Sequence, residues 1–200
     1  MGLVRVPPSE APEVVSVLSE AFFDYPVMRF VVGAAEPYAE HLLRLVGFFV
    51  AARYAREEVV LGVDREGVLD GVALVSRPAG GTTAPWLAEK REALWAVLGD
   101  DARARYEAFG AAAEAFEVDH PHLHLNMIGV RDGARGRGVG RQLLEAVHRL
   151  SAEDPESEGV SLSTEVAENV DLYRRFGYRV IGEARVDGAF TSWGMLRLDA

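Results

Sequence analysis

Between Arg131 and Arg141, four arginines and four glycines share eleven residues, with Asp132 as the one acid among them. Glycines let backbone amides converge where a side chain would obstruct them. Successive amides at a helix N-terminus form a positive concavity suited to phosphate, and arginines add forked, charge-assisted hydrogen bonds to phosphate oxygens. The chain around this island is acidic, with 21 Lys and Arg against 31 Asp and Glu and a net charge of −10. A small basic, glycine-rich segment in an acidic protein points to a phosphorylated small molecule. The rival reading is a glycine-rich loop whose arginines are simply solvated.

Two phosphate motifs fail here. A P-loop needs lysine and a hydroxyl after its last glycine, but Val139 and Gly140 follow Gly138. The dinucleotide fingerprint needs a third glycine where Arg141 or Leu143 stands. What fits is Arg135-x-x-Gly138-x-Gly140, between a β-patterned run and a helical one. This resembles the Arg/Gln-x-x-Gly-x-Gly/Ala signature of the GCN5-related N-acetyltransferases, the acetyl-CoA-binding GNAT superfamily. A second segment, Asn169-x-x-x-Tyr173-x-x-x-Gly177-Tyr178, resembles that family's Asn-x-x-x-Tyr-x-x-x-Gly-Phe element, with Tyr178 in place of Phe. Within the family the chain is similar to the puromycin N-acetyltransferase-like group. The segment Glu20 to Arg29, the strand ending Met127-Ile128-Gly129-Val130 and the closing Thr191-Ser192-Trp193-Gly194-Met195 carry that likeness. One departure is Ser163-Thr164-Glu165-Val166 where that group often has Leu-Glu-Thr-Ser, so the acid is displaced in sequence.

The resemblance implies a GNAT fold of α/β (α+β) class: a mixed, mostly antiparallel central sheet of about seven strands flanked by helices, with a helical insertion between the third and fourth strands. It implies one acetyltransferase domain over 1–200, the insertion at roughly 85–118 and the acetyl-CoA-binding core at roughly 121–185. Acetyl-CoA is the implied co-substrate, with no metal. Ile128, Gly129 and Val130 would offer main-chain groups to the pantetheine arm beside a splayed fourth strand. Arg135, Gly136, Arg137, Gly138, Val139, Gly140 and Arg141 would hold the pyrophosphate. Asn169 would bind the pantetheine arm, with helix capping as its rival role. Tyr173 is the candidate general acid, since a phenol with a pKa near 10 is protonated at neutral pH and can protonate a departing thiolate. Its plainer role is a packed aromatic on a short helix. The general base stays open among Glu165, the histidines of the alternating His122, His124 and Asn126, and a water chain. Phe23, Asp24, Tyr25 and Asn126 are the candidate acceptor-binding residues, although Tyr25-Pro26 also suits a helix-ending turn. The implied reaction moves an acetyl group to a small-molecule amine, an antibiotic or other xenobiotic included, by direct attack in a ternary complex. A non-catalytic acyl-CoA-sensing or protein-binding module, or a protein acetyltransferase, are the alternatives on the same fold.

These residues need a scaffold, and hydrophobic periodicity supplies its outline. Leu3 to Val6 reads as a first strand. Ser9 can cap the helix that follows, which should stop before Pro26 because the residue before proline avoids helical angles. Pro37 to Arg56 reads as a longer helix. Val59 to Val63 and Val68 to Val75 form a hairpin around Gly67, and Pro78 to Pro85 a Gly- and Thr-rich loop. Pro85 to Leu98 and Asp101 to Phe116 read as helices, with Asp100 or Asp101 as the cap between them. His122 to Val130 is a strand, Gly138 to Leu150 a helix, Val160 to Thr164 a strand, and Asn169 to Phe176 a helix closed by Gly177. Tyr178 to Val186 and Phe190 to Leu198 are two last strands.

Composition narrows the remaining possibilities. Hydrophobic residues make up 49% and charged residues 26%, a globular balance. There is no cysteine, which excludes a disulfide framework and any cysteine-linked acetyl-enzyme. The acidic balance argues against nucleic acid or an anionic membrane as partner. No apolar run approaches the roughly 20 residues of a membrane span, so a soluble cytoplasmic monomer or homodimer is the expectation. Arginine for lysine, with Lys90 the one lysine, suggests the coding bias of a GC-rich bacterial genome.

Overall fold

The computed structural model describes residues 2–34, 36–77, 84–116 and 118–199. Most of the expected loop from Pro78 to Pro85 therefore lies outside the described residues. Seven strands form one mixed sheet: β1 (Gly2–Arg5), β2 (Val59–Arg65), β3 (Val68–Ser76), β4 (Leu123–Val130), β5 (Gly159–Thr164), β6 (Arg179–Val186) and β7 (Phe190–Leu198), in the spatial order β1-β2-β3-β4-β5-β7-β6. Every neighbouring pair is antiparallel except β4 with β5. The helices are α1 (Ala11–Ala21), α2 (Pro26–Val32), α3 (Tyr38–Ala55), α4 (Pro85–Leu98), α5 (Asp100–Ala113), α6 (Val139–Ala152) and α7 (Ala167–Arg174). The mixed sheet, its flanking helices and the helical pair between β3 and β4 are those of the GNAT fold.

The two-residue period of a strand sends alternate side chains to opposite faces, and here both faces are buried. Val60, Val72 and Leu74 join α1, α2, α3 and α4 in one core, while Leu61, Val63, Ala73 and Val75 join α6 and α7 in the other. On α6 this selects a clean stripe, with Val139, Leu143, Leu144 and Val147 buried. In β4, Leu125 lies in the α6 core but Met127 lies in the α1 core. Residues two apart should share a face, and a β-bulge resolves the conflict. Val75 pairs with Leu125 and Leu74 with Met127, leaving Asn126 as the extra residue.

Three boundary expectations differ from the structure. The chain does leave helix at Phe22, and Tyr25 is extended (φ −70°, ψ 135°) as a pre-proline residue must be. Pro26 then begins the additional helix α2, because its fixed φ suits a first helical position. Ser9 falls in a single 3-10 turn, Pro8–Glu10, and Glu10 precedes α1 without a side-chain cap. Asp100 and Asp101 sit inside the first turn of α5, after Gly99, where they favour the helix dipole without capping it.

Candidate active site

The turn between β4 and α6 opens the site. Gly136 and Gly138 both have positive φ (75° and 80°), a region costly for side chains bearing Cβ. Packing does not explain them, since a Cβ built on either would meet nothing within 4 Å. The space beside each is open. The first hydrogen bond of α6 runs from the Gln142 amide to the Gly138 carbonyl at 3.0 Å. The amides of Val139, Gly140 and Arg141 therefore precede the helical ladder and are available to an anion. Arg135, Arg137 and Arg141 are exposed at this rim. Arg135 pairs with Asp132 at 2.9 Å, and the Arg141 guanidinium lies 5.6 Å from the centre of the Phe176 ring. The fourth arginine of the island, Arg131, has another task. It donates to the Leu69 carbonyl at 3.0 Å and to Glu20 at 2.8 Å, while the other Glu20 oxygen accepts the Asp132 amide at 2.8 Å. That amide and Arg131 together hold the Glu20 carboxyl below its usual pKa.

Beyond the turn the sheet divides. The parallel ladder between β4 and β5 consists of Leu123 with Val160 and His124 with Ser161. From Leu125 onward β4 keeps β3 as neighbour on one side only, with Ile128, Gly129 and Val130 paired to Ala73, Val72 and Gly71. Alternate main-chain groups of β4 therefore face a gap at the residues nearest the glycine turn. An extended amide-bearing arm can occupy such an edge as an added strand would. The chain thus fits acetyl-CoA on two counts: an open backbone edge and an open turn of amides at its end.

Across the gap, β5 and α7 supply the candidate chemical groups. Glu165 follows the last residue of β5 and is buried, accepting a 2.7 Å hydrogen bond from the Ser192 hydroxyl on β7. Burial raises its pKa above the usual carboxylate value, while that hydrogen bond opposes the shift. Tyr173 on α7 is buried, and burial together with the nearby Glu165 charge pushes its phenol up to about 12. Asn169 is the third residue of α7, whose N-terminus carries no side-chain cap. Its Nδ2 instead donates to Thr164 Oγ1 at 3.2 Å. The Tyr25 hydroxyl accepts the Glu165 amide at 3.1 Å and lies 3.1 Å from the same Thr164 hydroxyl. Burial first, then Glu165, raises the Tyr25 pKa as well. Four elements thus meet around Thr164 and Glu165.

These groups line a cavity of about 660 Å³ whose walls include Tyr25, Asn126, Ile128, Glu165, Asn169 and Tyr173. His122 and His124 line it too. His124 lies 2.8 Å from Ser161 Oγ, and burial lowers its pKa to about 4, so it is neutral near pH 7. His122 Nδ1 must carry hydrogen, since it donates to the His120 carbonyl at 2.7 Å. Phe23 and Asp24 do not line this cavity. They border a smaller opening of about 480 Å³ with Glu20, Asp132, Arg135 and Val166, beside the glycine turn. Tyr25 borders both spaces. Asp24 itself is exposed and pairs with Arg29 at 2.5 Å.

Several participants carry no local sequence signal. Ser192 reaches Glu165 across 27 positions, and Arg53 of α3 donates to Asn126 at 3.0 Å across 73. Thr164 is an ordinary strand residue until Tyr25 and Asn169 converge on it. The closing Thr191-Ser192-Trp193 resemblance was the one available hint for Ser192.

Comparison with known proteins agrees with the fold. Residues 88–180, from α4 into β6, match the family model described as acetyltransferase (GNAT) domain. A solved structure from Corynebacterium glutamicum, described as a histone acetyltransferase and related acetyltransferase, is similar over 99% of this chain and 96% of its own, with 25% identity and a TM-score of 0.71. Arylalkylamine N-acetyltransferase 2 from Aedes aegypti superposes over 98% of each chain at 17% identity and a TM-score of 0.65. A polyamine N-acetyltransferase from Drosophila melanogaster does so over 98% of this chain and 97% of its own, at 17% identity and a TM-score of 0.63. No curated protein matches the chain in sequence.

Proposed function

We propose that the protein is an acetyl-CoA-dependent N-acetyltransferase of the GCN5-related class, acting in one domain on a small-molecule amine by direct attack in a ternary complex. The observation that carries the proposal is the parting of β4 from β5 after His124 and Ser161, with an open glycine turn at one end and the cavity holding Glu165 and Tyr173 at the other. The narrower placement, in the puromycin-type group, rests on the sequence likeness alone. Soluble residence in a bacterial cytoplasm is part of the same proposal; among the described residues no helix is long and apolar enough to cross a membrane.

In this reading acetyl-CoA supplies an activated acetyl thioester, and the chain's own groups do the rest. The amides of Val139 to Arg141 and the exposed arginines hold the phosphates. The free edge of β4 at Ile128 and Val130 orients the arm, with Asn169 opposite. Glu165 is the general base. Burial raises its pKa, which makes it a stronger proton acceptor than an exposed carboxylate. Tyr173 keeps its proton well above neutral pH and can deliver it where a leaving thiolate needs one. Tyr25 and Ser192 keep the Glu165 segment in place.

The test is titration of acetyl-CoA into the protein, followed by thiol release with a panel of amines. Tight binding, slow thioester hydrolysis without acceptor and fast release with one amine are the expected results. Binding without any hydrolysis or transfer would favour a non-catalytic sensing module. Absence of binding would remove the reading.

A further inference from the structure

The wall of the larger cavity is built from rings. Phe22 and Tyr25 come from the end of α1 and the turn after it, Phe49 from α3, and Tyr106 and Phe109 from α5; Phe116 follows α5. The rings brace one another: Phe49 stacks on Tyr106 with centroids 6.0 Å apart, and Phe109 meets Phe190 of β7 at 6.5 Å. Phe116 is seated on glycine, since a Cβ on Gly194 would overlap its ring. Such surfaces are rigid and apolar, and they reward a ligand that presents a flat ring to them.

The charges are arranged as pointedly. Among the described residues, the ionisable groups lining the cavity besides the tyrosines are Glu165, Arg53, His122 and His124. Glu165 is the one carboxylate and belongs to the reacting end. The Arg53 guanidinium is largely buried, held by Asn126 at 3.0 Å and by Glu58, outside the lining, at 2.9 Å. A ligand with a second ammonium would have to place it among rings and near an arginine, without a second carboxylate in the lining to receive it. Burying an unpaired charge in that way is costly. A volume of about 660 Å³ falls in the range that encloses small ligands, and in the acetyltransferase reading part of it would hold the thioester.

Resting on the acetyltransferase reading, we propose that the acceptor is a monoamine carried by an aromatic body on a short linker, and that polyamines are rejected. The amine projects toward Glu165 while the ring lies against Phe49, Tyr106 and Phe109. The aromatic body supplies the binding energy, and Arg53 with the missing second carboxylate supplies the rejection.

Thiol release should be measured with tryptamine and 2-phenylethylamine beside spermidine, and tryptamine and spermidine should each be titrated into the CoA-loaded protein. The aryl amines should exceed spermidine by at least about 10²-fold in kcat/KM, the order expected when an aromatic group is buried in one case and a charge in the other. Phe109→Asp puts a carboxylate into the wall and should narrow that ratio by about tenfold or more; Phe109→Leu, which keeps the wall apolar, should leave spermidine excluded. If Phe109→Asp does not fold, the wild-type ratio and the two titrations decide alone. Spermidine equal to or better than the aryl amines, in transfer or in binding to the CoA complex, overturns the inference while leaving the acetyltransferase reading intact. Failure of acetyl-CoA itself to bind overturns both, and that titration distinguishes the two failures.

Discussion

The two ends of the cleft are built in opposite ways. At the proposed cofactor end, β4, the glycine turn and α6 follow one another within Leu123–Ala152, and the groups proposed to hold the phosphates lie in eleven consecutive residues. At the proposed acceptor end, rings from the turn after α1, from α3 and from α5 line a cavity with Glu165 after β5, which Ser192 on β7 holds, from segments spread over most of the chain. The first end is a local backbone conformation, so its function is compressed into a motif. The second is a surface made by packing, and only the fold brings its members together. The two are joined through α1 and the turn after it, where Glu20 holds the start of the glycine turn while Phe22 and Tyr25 line the larger cavity.

If the cofactor end is a backbone device, damage to its backbone should do the most harm. Gly138→Val places a β-branched side chain at φ 80° and occupies space that is now open beside the turn. It should abolish measurable acetyl-CoA binding in calorimetry, with circular dichroism still that of a folded protein. Gly138→Asn separates the two causes, because Asn tolerates left-handed angles. A loss of about tenfold or more in affinity there assigns the effect to occupied space rather than strain.

At the acceptor end the harm should fall on chemistry and spare binding. Tyr173→Phe should lower single-turnover thiol release by about 10²–10⁴-fold with acetyl-CoA affinity little changed. A variant that chiefly fails to bind would move Tyr173 from proton donor to cofactor positioning. Glu165→Gln should cost about 10²-fold in kcat/KM and change the pH profile. A carboxylate base works deprotonated, and burial raises the pKa of Glu165. Wild-type kcat/KM should therefore rise with pH through that raised pKa, and the rising limb should be missing from the variant. Persistence of the limb would point to His122 or water as the base.

The smallest effects should come from side chains at the cofactor end. Arg135→Ala and Arg137→Ala should each weaken acetyl-CoA binding by about 1–2 kcal/mol, less at high salt. Arg135 should contribute the less, since it already has Asp132 at 2.9 Å. Arg131→Ala sharpens the contrast. That arginine is committed to Leu69 and Glu20, so thermal stability should fall while the salt dependence of binding stays as in the wild type. Calorimetry at two salt concentrations, beside a melting curve, checks all three.

Legibility in the sequence followed the same division. The strand at His122 to Val130, the helix from Gly138 and the closing hairpin were readable because hydrophobic periodicity and turn glycines act over a few neighbours. The helix beginning at Pro26 was not, because proline breaks one helix and begins another with the same fixed φ, and only its packing partners say which. The bulge at Asn126 was hidden as well. His122, His124 and Asn126 alternate in type, but the extra residue shifts the register after Leu125 and sends Met127 to the opposite core. Arg131 counts in sequence only as one of the four arginines of the island, and nothing nearby reveals that Glu20 and the Leu69 carbonyl claim it.

What the sequence determined by itself was therefore everything that backbone preference dictates locally: a glycine turn between strand and helix, Asn169 and Tyr173 on one helical face, and the absence of any cysteine nucleophile. Tertiary structure alone decided how far β4 stays paired with β5, which buried hydroxyl holds Glu165, and which rings line the larger cavity. Those outcomes depend on contacts between residues tens of positions apart. Their energies belong to the packed interior, where burial shifts the proton affinities of Glu165 and Tyr173 in the same direction. No short stretch of the chain carries that information, because desolvation is a property of the assembled surroundings and not of the residue.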